Sequence, residues 1–220
     1  MENTIEILQA ELGTAIFASL QMIITAMIIS FFIGGILGLL LYLTSNRLFF
    51  KNKTLNCVAG FIINIIRSLP FVILLVLLIP LTKVITGTGI GPEAATVPIT
   101  IASIAFFARL SEGAFNEIDK GVIEAAIASG ASFSLILKDV LIVEALPSLI
   151  RAVTVNLISL IGFSAMAGIV GGGGIGDLAI RYGYYRYETG VMIVTVVILV
   201  VLVQFIQISG DFIAKKSNRR

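Results

Sequence analysis

The residues able to do chemistry are few, and what is missing narrows the field first. The chain has no histidine and one cysteine, Cys57, so the usual general base, the commonest metal ligand and any intrachain disulfide are absent. No phosphate-binding Walker sequence occurs, so a nucleotide-driven activity must take its ATPase from elsewhere. Cys57 reads as a small apolar filler. Two polar residues do stand in apolar sequence: Asn64 and Arg67 of NIIRSLPF, three apart and so on one helix face. An arginine at mid-membrane costs about 2.5–3.5 kcal/mol on insertion scales. The pair is therefore expected to face a bundle interior or a watery path, with Pro70 opening the backbone nearby. Snorkelling of Arg67 to an interface is the alternative. Gly171, Gly173 and Gly176 have the spacing of a dinucleotide fingerprint, but no strand precedes them and a membrane segment does, so that reading is rejected.

The stretch with the clearest purpose is Glu124 to Pro147, EAAIASGASFSLILKDVLIVEALP, lying between two apolar blocks. Ala125, Ala126, Ala128, Gly130 and Ala131 leave little side chain, so a partner backbone can approach closely. Ile123 and Ile127, four apart, give a short helix an apolar stripe. Gly130 permits a bend into a second short helix carrying Leu135, Leu137 and Leu141. The spacing alone leaves two readings open: a docking element, or an amphipathic loop on the bilayer surface.

Composition sets the solvent. Of 220 residues, 58% are hydrophobic and 13% charged, with mean hydropathy +1.07. Soluble domains carry about 45–50% apolar and about 25% charged residues, so this is an all-α membrane protein. Five blocks are long enough to cross: Ile16–Leu43, Val58–Leu81, Ala94–Leu110 (running on toward Ala114), Leu149–Val170 and Val191–Ile213. With the N-terminus outside, the inner segments hold Arg47, Lys51, Lys53, Arg109, Lys120, Lys138, Lys215, Lys216, Arg219 and Arg220. The outer segments hold only Lys83, Arg181 and Arg186, which places the Glu124–Pro147 loop and the C-terminus in the cytosol. Glu2, Glu6 and Glu11 stand where a removable signal would be basic. Glu93-Ala94-Ala95 repeats the loop's opening triplet on the outer side but lacks the following glycine. Apart from Asp211, the spans carry no acidic residue, and no internal repeat is visible, which disfavours an ion-coupled secondary transporter.

The Glu-Ala-Ala, three-residue, glycine pattern at 124–130 resembles the coupling loop of ABC importer permeases. That family's usual proline would fall at Val143; Pro147 stands four residues on. The likeness extends further. RSLPF, GTGIG, the run ATVPITIASIAFFARLSEGAFNEIDKGVIEAAIASGAS and SAMAGIVGGGGIGDLAIRYGYYRYET are similar to permease subunits of bacterial methionine ABC importers. The resemblance implies a multi-pass protein of the cytoplasmic membrane with five spans and one permease domain over 13–210. An extracytoplasmic 1–12 and a basic cytosolic tail 214–220 would flank it. It implies a homodimer, two cytosolic ATPase subunits that bind ATP and Mg, and an extracytoplasmic methionine-binding lipoprotein, with nucleic acid no partner and no cofactor in this chain. Glu124, Ala125, Ala126, Ser129, Gly130, Ala131 and Ser132 would meet the ATPase. A permease for another amino acid or small solute is the nearest alternative.

In such a dimer, the small residues Gly162, Ser164, Ala165, Ala167 and Gly168 favour close helix packing around the one large side chain, Met166. Paired Met166 side chains would plug the pathway, with Ser164, Asn64 and Arg67 beside it; plain packing is the alternative for Met166. Tyr182, Tyr184, Tyr185 and Tyr187, with Arg181 and Arg186, read as an interfacial belt or part of a docking surface.

Overall fold

The computed structural model describes residues 2–217; Met1, the Glu2 side chain and residues 218–220, with Arg219 and Arg220 of the basic tail, lie outside the described residues. Among the described residues no β-strand forms, so the glycine run at 171–176 has no strand to follow. Helix α1 runs unbroken over Glu2–Ser45. Then come α2 (Lys53–Ser68), α3 (Phe71–Leu77), α4 (Ile79–Thr86), α5 (Pro92–Asn116), α6 (Lys120–Ala128) and α7 (Phe133–Leu135). A π-helical turn at Ile136–Leu141 leads into α8 (Ile142–Ala167); α9 (Gly174–Leu178) and α10 (Thr189–Ser217) complete the chain. Among the described residues four helical stretches are long and apolar enough to cross a membrane, and five when the bent pair α2–α3 counts as one.

That bent pair corrects the expected span Val58–Leu81. Its two halves meet at 103°. Pro70 has no N–H to donate and pushes the preceding residue out of the helical region; Leu69 accordingly sits at φ −81°, ψ 131°. Elsewhere the blocks are helical but longer than expected. The residues 1–12 expected as a separate segment are, from Glu2, the first turns of α1, and Ala214–Ser217 of the tail belong to α10. Pro147 lies inside α8 rather than at its start. Helix α5 extends to Asn116 and so takes in an acidic residue, Glu112, which Arg109 pairs at 2.6 Å.

Without a hydrophobic drive between helices in lipid, close packing needs small residues. Gly34 and Gly38 supply them where α1 lies along α5. A Cβ on Gly34 would come 2.9 Å from the Ile104 carbonyl, and one on Gly38 2.5 Å from that of Ala108. The central core joins Met22, Ile23 and Ala26 of α1 to Leu74 and Leu75 of α3, Ile99 of α5 and Leu160 of α8. Phe71 and Phe163 stack at 4.6 Å across α3 and α8. Inside this packing the fully buried Asn156 takes a hydrogen bond from Ser103 Oγ (3.0 Å) and donates to Ser30 Oγ (3.2 Å), tying α8 to α5 and α1.

The connections sort to two ends. At the amino-terminal end, Arg181 reaches Glu11 (3.3 Å) and Asp177 (3.1 Å), the Asn3 amide donates to Glu188, and Gly91 N–H donates to Gly171 O (3.0 Å). At the opposite end, Tyr42 stacks on Phe115 (5.7 Å) and Phe49 meets Phe133 (6.1 Å).

Candidate functional site

The Glu124–Pro147 stretch folds as an elbow on that opposite end. Asp119 caps α6, its Oδ1 accepting from Gly121 N–H at 2.8 Å. The helix stops at Ser129 because Gly130 turns left-handed, φ +77°. Gly130 N–H donates to Ile127 O (2.9 Å) and Ala131 N–H to Ala126 O (3.1 Å), the paired bonds of a Schellman motif. Ser132 then starts α7, its Oγ accepting from Leu135 N–H. Ile123, Ile136 and Leu141 are fully or nearly fully buried against Tyr42, Leu43, Phe115 and Ala145, so the elbow is nailed to the ends of α1, α5 and α8. The opposite face is open: Glu124, Ala125, Ser129, Gly130 and Ser132 are exposed, with Ala126 and Ala131 half-buried. Ile127, expected to share a stripe with Ile123, is exposed instead and stands out among these small residues. By contrast, Ala94 and Ala95 of the second Glu-Ala-Ala triplet are core residues of α5. The elbow can do no bond chemistry. It offers a small-residue surface from which Ile127 projects, with Phe133 and Leu135 exposed beyond the turn.

A second feature runs along the bundle. On α8, Ser148, Arg151, Val155, Ser159, Gly162 and Met166 recur at three and four residues, which is one helix face. Of these, Arg151, Val155 and Met166 are exposed, and a Cβ on Gly162 would meet nothing within 4 Å. On α5 a matching line holds Phe106, Arg109 and Gly113, and Glu117 continues it just past the helix end. The two lines border one groove, which Arg109, Gly113, Glu117, Ser148, Arg151 and Val155 help to form. Arg109 also donates to Gly60 O (3.0 Å), holding α2 against α5. On α2, Asn64 and Arg67 are exposed on the single chain rather than interior, since α2 buries Gly60 and Ile63 instead. The Arg67 guanidinium lies over the Phe106 ring at 5.9 Å, at the edge of the same face. Lipid does not suit such a surface. The face that suits lipid belongs to α10, where Val200, Val201, Phe205, Ile208 and Phe212 point outward.

The structure separates two residues that the sequence grouped. Met166 is 42% exposed and on the polar face, whereas Ser164 is buried; two positions along a helix is about a 200° turn. Nor are the four tyrosines alike. Tyr184, Tyr185 and Tyr187 are exposed, but Tyr182 is buried against Ala15, Leu178 and Val191 and donates to Glu11 Oε1 (3.3 Å). The sequence reading missed Arg151, Glu117, Asn156 and the Gly34/Gly38 pair. The glycine pair and an arginine inside the fourth apolar block were readable signals.

An exposed elbow on an all-helical membrane bundle with a polar flank describes a transporter's membrane component. Residues 34–219 match the family described as binding-protein-dependent transport system inner membrane component, and the chain belongs to that family. It is 47% identical over 207 residues (94% of this chain, 92% of the relative) to a probable D-methionine transport system permease protein MetI of Vibrio cholerae. It is 46% identical over 181 residues, 82% of each chain, to the methionine import system permease protein MetP of Bacillus subtilis. A solved inward-facing structure of the MetNI methionine ABC transporter contains a chain that superposes with TM-score 0.93 at 43% identity, covering 96% of this chain and 98% of that one.

Proposed function

We propose that the chain is the permease subunit of an ATP-driven importer of methionine, acting as a homodimer in the bacterial cytoplasmic membrane. Two cytosolic ATPases bind ATP and Mg and dock on the two elbows; an extracytoplasmic protein delivers substrate to the other end. The observation that carries this reading is likeness over nearly the whole chain to methionine permeases, the elbow included. Sidedness is supported by charge. Arg47, Lys51, Lys53, Lys120, Lys138, Lys215 and Lys216 gather at the elbow end, against Lys83, Arg181 and Arg186 at the amino-terminal end. By the positive-inside rule the elbow is cytosolic, the N-terminus outside and the bent α2–α3 the second of five spans.

In this reading the polar faces of two copies oppose each other across a shared path. ATP draws the elbows together and opens the path outward; hydrolysis reverses it. Because Ile123, Ile136 and Leu141 fasten the elbow to three helix ends, its displacement moves α1, α5 and α8 as one.

Reconstitution tests this. The chain is placed in proteoliposomes with the ATPase and binding protein encoded beside it, and labelled methionine is offered with and without ATP. ATP-dependent uptake, lost in Gly130→Asp, is the expected result. ATP-driven uptake of a different amino acid would keep the permease and discard the substrate. Uptake driven by an ion gradient alone would discard both.

A further inference from the structure

Where α5, α8 and α10 meet at the elbow end, the polar face deepens into two adjoining chambers that share lining residues. The larger, about 630 Å³, is lined by the carboxylates Glu117, Asp119 and Glu144 and the cations Arg151 and Lys216, with Ser148 among them. The smaller, about 260 Å³, continues along α5 and α8 to Arg109. Both chambers share Glu117, Ser148 and Arg151, so these three stand at their junction. Pockets of this size are in the range that holds small molecules.

The two charges at the junction differ in their engagement. The Glu117 carboxylate accepts from Ser148 Oγ, which fixes its orientation. Arg151 is exposed, and among the described residues no hydrogen bond or ion pair engages its guanidinium. The other arginine of this face, Arg109, already has Glu112 and Gly60 O. Arg151 thus has its planar fork free, a geometry that suits a carboxylate. Val143, Leu146 and Pro147 add apolar wall to the same recess. Opposite charges lining one junction, with an apolar wall beside them, match the parts of a free α-amino acid.

We propose that Arg151 and Glu117 form a low-affinity site for the transported amino acid on the inner half of the path, Arg151 receiving its α-carboxylate and Glu117 its α-ammonium group. This rests on the importer reading and adds to it a substrate-contacting residue within the membrane subunit.

The test uses the permease–ATPase complex in lipid nanodiscs, without binding protein, and equilibrium dialysis of labelled methionine. Wild type is expected to bind methionine at a site that methioninol, which lacks the carboxylate, does not compete for. Arg151→Gln should weaken that binding at least ten-fold, Arg151→Lys should recover part of it, and Glu117→Gln should weaken it too. Any binding outside the permease is common to all variants and subtracts out. Equal isotherms for wild type and Arg151→Gln, with both complexes intact by size exclusion, would overturn the proposal, as would competition by methioninol equal to that by methionine. Dissociation of the ATPase from both Arg151→Gln and Arg151→Lys complexes would assign Arg151 to the subunit contact instead. Failure of the importer reading shows separately, as absent ATP-driven uptake by the wild-type complex.

Discussion

Asn156 and Asn64 are both asparagines in apolar sequence, and the structure gives them opposite weights. Asn156 is fully buried and bonds to serines of two other helices; Asn64 is exposed on α2. Side-chain hydrogen bonds between membrane helices average about 0.6 kcal/mol and reach about 1.7. Asn156→Ala removes both serine bonds and a weaker bond to Met27 Sδ (3.4 Å) and leaves a small cavity, so it is expected to cost about 1–3 kcal/mol. A thermal midpoint several degrees lower in detergent would show it, with Asn64→Ala, measured alongside, nearly unchanged. Nothing local in the sequence distinguishes the two. The partners of Asn156 stand 126 and 53 positions away, and such pairings are set by packing rather than by pattern. Gly34 and Gly38 were within reach of a pattern, being four apart in an apolar helix, because the requirement they answer is local: no room for a Cβ.

The elbow is the element whose role depends least on the rest of its own chain. Gly130 is left-handed, and a Cβ there would meet nothing within 4 Å. A substitution therefore costs the backbone strain alone, about 1–2 kcal/mol for a residue with a side chain. Gly130→Ala is expected to leave dimer assembly intact and lower ATP-driven uptake part-way, while Gly130→Asp abolishes it; the gap between the two, read as initial uptake rates, reports what the partner surface tolerates. Equal rates for the two variants would place the effect in the elbow's own fold. This element was legible because small residues and a single glycine speak for themselves at short range; the Ser132 cap was not read. The second span was only half legible. Pro70 was visible, but a break of 103° depends on α3 finding Phe163 and the core of α1 to pack against. The length of α1 was less visible still, since its first turns are polar and are held by Arg181 and Glu188 from the far end of the sequence.

At the scale of the molecule, the path proposed between two copies would be lined by the two helix lines of the polar face, with Met166 toward the amino-terminal end. Met166 is exposed on the single chain and follows the same three-and-four spacing as Arg151. Met166→Gly complexes in sealed vesicles are expected to leak substrate without ATP, and Ser164→Gly complexes, altered at a buried position on the other side of α8, to stay tight. A tight Met166→Gly vesicle would remove the plug and leave Met166 a packing residue. The apolar blocks and their order were legible from hydropathy, because lipid imposes them; the polar face was not, because it is assembled from residues 64–67, 106–117 and 148–166, on three helices. Helix α1 carries a mechanical consequence of its own. Its 44 residues make a rod about 66 Å long, roughly twice the hydrocarbon thickness of about 30 Å. One tip is bolted to the elbow through Tyr42 and Leu43, and the other to the collar formed with Arg181 and Glu188. No break in α1 lets one tip move alone. A tilt of about 5° about its midpoint swings each tip about 3 Å in opposite directions, so a nudge given on one side of the bilayer arrives on the other as a stroke of equal size and reversed sense.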